Sequence, residues 1–108
     1  MNEDNLSRDD VLQELRNHLP QFERLYGVTR IGVFGSVARD EPRKNSDIDV
    51  VVEMKEPDLF YLVHVKETLE KDLLRPVDVI RYRDKMNSYL KTRIDGEACH
   101  VASAFASH

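Results

Sequence analysis

Three short runs of β-branched and apolar residues, separated by segments with helical spacing, constrain the fold of this chain more than any other feature. The runs cover Val28–Phe34, 47–54 and 77–82, and such residues are typical of strands in a sheet that helices cover. Apolar residues at helical spacing precede the first run, separate the last two and follow the third. The predicted order is helix, strand, short helix, strand, helix, strand, helix. We therefore expect an α/β fold in which helices pack on a small sheet.

Capping residues predict where the helices begin and end. Ser7 followed by Asp10 indicates a helix start with an acidic first turn. Pro20 disfavours helix at Leu19, so we expect the first helix to end near residue 18 and a second turn to run on to Gly27. The other expected segments are a short helix at 37–41, a polar loop at 42–45, a helix from 57 that ends before Pro76, and a last helix at 87–98.

The composition is that of one globular domain and excludes several classes of protein. The 108 residues are 41% hydrophobic and 33% charged, which predicts a single domain over 1–108 with frayed ends at 1–10 and 102–108. The net charge of -4 provides no strong basic field, so we expect no direct binding of nucleic acid. A lone Cys99 excludes an internal disulfide framework and a multi-cysteine zinc site. No apolar run approaches the ~20 residues of a membrane helix, so we expect no membrane and a cytoplasmic location.

The second run carries a pair of acidic residues on one face. Side chains alternate along a strand, so Asp47 and Asp49 share a face while Ile48 and its apolar neighbours take the other. Two carboxylates at ~5 Å repel by roughly 3 kcal/mol at an effective dielectric of ~20. That repulsion is large beside a total stability of ~5–15 kcal/mol. The pair therefore predicts a bound cation or a functional role.

A third acidic residue lies within the last apolar run. Asp78 stands among valines and isoleucine, where an acidic residue is out of place in a strand. If this strand lies beside the strand that carries Asp49, three carboxylates meet. Hard oxygen ligands on rigid strands suit Mg²⁺, which shares its other positions with water and phosphate. Two such ions would hold the attacking and leaving oxygens of a phosphoryl displacement.

The turn after the first strand has the residues of a phosphate site. Gly35 allows close approach of a phosphate, and the helix that follows offers free N–H groups. The Ser36 hydroxyl can donate to a phosphate oxygen, and Arg39, one turn on, can pair with a polyphosphate.

Each of these features also has a simpler interpretation. A Gly-Ser pair after a strand is commonly only a turn, and Asp-x-Asp is commonly a solvated loop end. Asp78 alone fits an edge strand, and Arg39 alone fits a surface cation that neutralises the acidic pair. The combination, with a ten-residue gap between the two motifs, is far more specific than its parts.

This combination resembles the minimal nucleotidyltransferase group of the DNA polymerase β-like superfamily. The residues that carry the resemblance are Gly35-Ser36, Asp47-Ile48-Asp49 and Asp78. The sequences around them, 31–39 and 46–52, strengthen it, and it extends over about 11–101, nearly the whole chain. It implies a nucleotidyltransferase fold of the α+β kind, with a small mixed sheet packed with helices.

Within that group, the chain is similar to MntA-type antitoxins, whose partners are HEPN-domain RNase toxins. The resemblance implies a Mg²⁺-dependent protein adenylyltransferase, with two Mg²⁺ ions and ATP as substrate, that transfers AMP to a tyrosine of the toxin and silences it. The metal ligands and catalytic carboxylates that it implies are Asp47, Asp49 and Asp78. The expected nucleotide-binding residues are Gly35, Ser36 and Arg39. Asp78 can act as a ligand or as a base.

Two alternatives stay open from the sequence. The first is a non-catalytic antitoxin that masks its toxin by stoichiometric binding. The second is a nucleotidyltransferase that acts on a small molecule. The three acidic residues favour the enzyme, because a pure binding protein gains nothing from keeping repelling carboxylates together.

Overall fold

The computed structural model describes residues 6–39 and 47–102, and the predicted loop at 42–45 lies outside these ranges. In chain order the elements are α1 (Arg8–Tyr26), β1 (Val28–Phe34), α2 (Gly35–Ala38), β2 (Ile48–Met54), α3 (Leu59–Leu73), β3 (Val77–Arg81), α4 (Ser88–Glu97) and β4 (Cys99–Ala102). No helix in the described part of the chain has the length and apolar character needed to span a membrane. The α+β fold with a small mixed sheet is confirmed.

The four strands form one mixed sheet in the order β3-β2-β1-β4. β1 pairs antiparallel with both β2 and β4, and β2 pairs parallel with β3. Parallel neighbours need a crossover connection, and α3 supplies it between β2 and β3. The parallel pairing of β2 with β3 places Asp49 opposite Asp78.

Helices cover both faces of the sheet, and the alternation of β2 divides its side chains between two apolar clusters. Ile48, Val50 and Val52 are fully buried in the main core, which α1 and α3 complete. Val51 faces the other way, into a smaller cluster with Phe34 and with Ile94 of α4. The face of β2 that carries Asp49 is therefore the α4 face, as the alternation predicts.

α1 is one continuous helix, so the prediction that it ends near residue 18 is wrong. Its start is confirmed, because Ser7 and Asp10 form a reciprocal capping box and Gly27 ends the helix with a φ of 71°. Proline inside a helix costs about 3 kcal/mol. Leu19 and Phe22, on either side of Pro20, are both buried in the main core. Because the proline lies on the exposed face, packing of the apolar stripe holds the helix together across it.

One strand and the start of one helix also differ from the sequence prediction. β4 was not predicted, although it pairs with β1 from Cys99 opposite Val33 to Ala102 opposite Arg30. A four-residue strand with one β-branched residue gives too weak a pattern to stand out. α2 begins at Gly35, two residues before the predicted 37.

Gly35 and Gly96 provide a matched pair of tests of this backbone. Gly35 has a φ of 75°, and a Cβ there would lie 2.4 Å from Oδ2 of Asp49, whereas a Cβ at Gly96 meets nothing within 4 Å. We expect Gly35→Ala to lower the free energy of unfolding by at least about 1–2 kcal/mol, the cost of a left-handed non-glycine residue. Gly96→Ala should raise it by about 0.5–1 kcal/mol, because alanine favours helix.

Urea unfolding followed by circular dichroism measures both changes. A Gly35→Ala protein as stable as the wild type would contradict the left-handed turn and its contact with Asp49.

Candidate active site

Two carboxylates on neighbouring strands form the centre of the candidate site. Asp49 of β2 is the register partner of Asp78 of β3, and adjacent strands lie about 4.8 Å apart. Residues directly opposite each other share a face of the sheet, so both side chains lie on the α4 face. Asp47 is exposed and precedes β2 by one residue. The structure thus brings the three predicted acidic residues together, while their roles stay predictions.

The electrostatics of Asp49 reflect this crowding. Its pKa is raised above the usual value, first by burial and then by the negative charge of Asp78. Asp47 and Glu97 raise the pKa further, and Arg93 opposes them. A carboxyl whose pKa is raised by like charges is costly to ionise. A cation bound beside Asp49 would remove that cost.

The glycine turn lies directly against the acidic pair. Phe34, the last residue of β1, is the register partner of Asp49. The chain then enters α2 at Gly35, and the 2.4 Å that would separate a Cβ from Oδ2 of Asp49 shows that only glycine fits here. Ser36 follows and is partly exposed. The predicted phosphate turn and the predicted carboxylates therefore belong to one site.

Glu97, which the sequence analysis did not single out, occupies the turn. Its Oε1 accepts hydrogen bonds from the backbone N–H of Gly35 at 3.2 Å and from Nη1 of Arg39 at 3.0 Å. Nη2 of Arg93 lies 3.6 Å from the same oxygen. A carboxylate thus holds two of the groups that the sequence analysis assigned to a nucleotide phosphate.

The sequence indicates that Arg93 and Glu97 form a charge pair, but it does not show where they lie relative to the glycine turn. They stand four residues apart on the last predicted helix, the spacing of an ion pair on one helix face. Such pairs are common on solvated helices. Only the packing of α4 on the sheet, through Ile94, brings this one to the glycine turn.

A separate cluster of possible metal ligands lies on the opposite side of the sheet. Glu14, His18 and Asp72 are the described residues that place three donor atoms within 4.8 Å of one another. His18 Nε2 lies 2.5 Å from Oδ2 of Asp72 and 3.7 Å from Oε2 of Glu14. Since these contacts join α1 to α3, they account for the cluster as a link between the two helices.

A groove of about 670 Å³ opens along the edge of the sheet next to Asp78. Its lining begins at the next residues of β3, Val79 and Ile80, and includes the beginnings of α3 and α4. Asp78 itself is exposed. The acidic site is therefore open on the side of β3.

Comparison with known proteins agrees with this geometry. The family model described as "Nucleotidyltransferase domain" matches residues 15–100. Protein adenylyltransferase MntA of Thermococcus cleftensis is 34% identical over 90 residues, which are 82% of this chain and 86% of that protein.

Two solved structures share the fold. A structure described as a candidate minimal nucleotidyltransferase has 30% identity and a TM-score of 0.69, and the match covers 87% of this chain and 95% of that chain. A second, at 18% identity and a TM-score of 0.60, covers 89% of this chain and 76% of that chain. It is a complex of an MNT antitoxin with the tri-AMPylated HEPN toxin of Shewanella oneidensis.

The family match spans the glycine turn, the acidic residues of β2 and β3, and Glu97. It confirms the resemblance that the sequence motifs indicate. This chain belongs to the nucleotidyltransferase domain family.

Proposed function

We propose that this protein is a Mg²⁺-dependent protein adenylyltransferase that transfers AMP from ATP to a tyrosine of a HEPN-type RNase toxin and so neutralises it. The observation that carries the proposal is the register of Asp49 with Asp78 beside the Gly35 turn. The similarity to MntA of Thermococcus cleftensis and to the fold of an antitoxin bound to an AMPylated toxin supports the choice of reaction and partner.

The acidic residues fit a divalent metal site. Asp49 and Asp78 provide oxygen ligands on adjacent strands, and the exposed Asp47 can close on the same ion. The pKa of Asp49 is raised first by burial and then by the charge of Asp78, which supports a place for a cation beside these carboxylates. When bound, Mg²⁺ would neutralise negative charge on a phosphoryl group during its transfer. Two ions would stabilise the attacking and the leaving oxygen.

The glycine turn fits the triphosphate. The backbone N–H of Gly35, the hydroxyl of Ser36 and the guanidinium of Arg39 are donors for phosphate oxygens, which accept such bonds strongly. Two of them already bind one carboxylate oxygen of Glu97. A site that holds an anionic oxygen there is suited to a phosphate oxygen, once Glu97 moves aside.

The acceptor hydroxyl approaches from the open edge beside Asp78. A bond forms between its oxygen and the α-phosphorus, the bond from that phosphorus to the bridging oxygen breaks, and pyrophosphate leaves. Asp78 would either hold a Mg²⁺ ion or accept the hydroxyl proton, and where it holds the ion the proton would pass to bulk water. We favour the first role, since a carboxylate that shares a cation is a weak base. Positioning and electrostatics supply most of the acceleration.

Removal of one acidic group tests the reaction. We expect Asp47→Asn to lower transfer of AMP at least about 100-fold, because a ligand that would hold the charge-neutralising Mg²⁺ is lost. The fold should persist, since the side chain keeps its shape and is exposed. The assay combines α-labelled ATP, Mg²⁺ and a purified HEPN-type toxin, followed by intact mass of the toxin.

Asp9→Asn, an exposed aspartate in the first turn of α1, is the matched control and should transfer AMP normally. Unchanged labelling by Asp47→Asn would refute the proposed site. Neutralisation of the toxin without added mass would instead show a masking antitoxin.

The raised pKa of Asp49 predicts a pH-dependent stability. Because the folded state binds this proton more tightly than the unfolded state, the stability that Asp49 contributes falls as pH rises from 3.8 through the raised pKa. Without Mg²⁺, Asp49→Asn should therefore unfold with a higher free energy at pH 7, by no more than about 1 kcal/mol for a partly solvated group. The gain should vanish below pH 3.8.

Urea titrations at several pH values measure this difference. Added Mg²⁺ should raise the melting temperature of the wild type and leave that of Asp49→Asn unchanged. A variant less stable than the wild type at pH 7 would contradict the repulsion.

Glu97 should compete with the nucleotide. In Glu97→Gln the amide keeps the shape but loses the charge that holds Arg39. We expect a Mg²⁺-bound, non-hydrolysable ATP analogue to bind about 3–10-fold more tightly, which corresponds to about 0.7–1.4 kcal/mol. Isothermal titration calorimetry measures the change.

Glu67→Gln on α3 removes the same charge from an exposed position and is the control. Weaker binding by Glu97→Gln would mean that Glu97 assists the nucleotide rather than competing with it.

A further inference from the structure

β3 is an edge strand of the part of the sheet that the structure describes. Within the described residues, β3 has a single strand neighbour, β2. The N–H of Tyr82 donates to Val52 and the carbonyl of Pro76 accepts from Ile48, so the even-numbered residues direct their backbone groups at β2. Because these directions alternate along a strand, the N–H and C=O groups of Val77, Val79 and Arg81 point away from the sheet.

Two side chains of α3 close the first part of this edge. Oε2 of Glu70 accepts a hydrogen bond from the N–H of Val77 at 2.9 Å, and Nζ of Lys66 donates to the C=O of Val77 at 2.8 Å. Lys66 and Glu70 also pair with each other at 2.8 Å. The cover ends there, because none of the described residues hydrogen-bonds the outward groups of Val79 or Arg81. Natural proteins ordinarily protect such edges.

The open part of the edge lies in the groove of about 670 Å³. Leu59 and Leu62 of α3 line one side and Met86 and Leu90 line the other. Leu59 and its neighbour Phe60 are 79% and 76% exposed, unusual values for large apolar side chains. The result is an apolar groove whose base carries backbone groups of Val79 and Arg81 that no described residue hydrogen-bonds.

The charges of the groove indicate what kind of segment fits it. Arg81 and Arg83 line it against a single acidic residue, Asp58, whose carboxylate is bound to the backbone of Phe60. The groove is therefore positive in a chain of net charge -4. It favours a segment with acidic side chains.

We propose that the outer edge of β3 is the docking site for an extended, acidic segment of the partner protein that brings the acceptor tyrosine to Asp78. The segment would add to the sheet as a strand, with its backbone bonded to Val79 and Arg81 and apolar side chains in the groove. An added strand lies about 4.8 Å away. Its side chains on the α4 face therefore lie beside Asp78. The identity of the acceptor rests on the proposed function.

Two exposed leucines on one helix test the groove. Leu59 lines it, whereas Leu74, 86% exposed, caps the far end of α3. Leu59→Asp should weaken toxin binding and slow AMP transfer at least 10-fold, and Leu74→Asp should change neither by more than about 2-fold. Aspartate tolerates the left-handed backbone at Leu74. The measurements are calorimetry with the purified toxin and the intact-mass assay.

A second pair of variants tests the strand addition. Val79→Pro removes an N–H that makes no bond to β2, and proline is tolerated at such edge positions. Relative to Val79→Ala, it should weaken toxin binding at least a further 10-fold. Equal binding by the two variants would overturn the pairing. Should Val79→Pro fail to fold, hydrogen exchange in the wild type decides: toxin must slow exchange at Val79 and Arg81 at least 10-fold.

The controls separate this inference from the proposed function. Mg²⁺–ATP should raise the melting temperature of Leu59→Asp as it does for the wild type. Normal labelling of toxin by Leu59→Asp would overturn the docking site alone, whereas a wild type that labels no toxin would overturn the proposed function. Loss of self-association in Leu59→Asp, with toxin binding intact in ultracentrifugation, would overturn the inference in favour of a second copy as occupant.

Discussion

The parallel register that sets Asp49 of β2 opposite Asp78 of β3 is the constraint on which the candidate site of this protein depends. The parallel pairing of β2 with β3 places the two carboxylates opposite each other, and the burial of Asp49 makes its ionisation costly. Neither residue supports the fold there. The main core lies on the other face of β2, so the sheet is stable without help from its acidic face. The acidic pair therefore has no packing role in the main core, which leaves it to the function proposed for it.

α4 balances this excess of negative charge and also adds to it. Arg93 lowers the pKa of Asp49, whereas Glu97 raises it. The carboxylate of Glu97 accepts hydrogen bonds from the Gly35 N–H and from Arg39, so these two donors have an anionic partner inside the protein. A triphosphate that displaces Glu97 would replace one negative group with another that carries more charge. Until a nucleotide binds, Glu97 holds the Gly35 N–H and Arg39 in position.

The sequence predicted β1, β2 and β3 from their apolar, β-branched runs, and the acidic face of β2 from the alternation of side chains. Ile48, Val50 and Val52 had to be buried together, which left Asp49 on the opposite face. The continuity of α1 past Pro20 was harder to predict, because it depends on the burial of Leu19 and Phe22 in a core to which other segments contribute. Helix propensity alone does not include the free energy of that burial.

β4 and Glu97 depend on contacts between distant segments. The sequence holds one local signal for β4, which is the glycine at position 32 of β1. In the structure a Cβ at Gly32 would lie 2.7 Å from the carbonyl oxygen of Cys99 and from the ring of His100. A glycine inside a strand often marks such a close approach, but it does not identify the neighbour. Glu97 offered no comparable signal, because its role follows from where α4 packs.

The edge position of Asp78 connects the chemistry with the choice of acceptor. If Asp78 lay on a central strand, only a bound nucleotide would reach it. On β3 it lies beside the groove. Among the described residues, Lys66 and Glu70 cover the backbone of Val77, one residue before Asp78, and none hydrogen-bonds the outward groups of Val79 or Arg81. The proposed docking depends on this difference along β3. A partner segment that adds a strand there would complete the sheet and enclose Asp78.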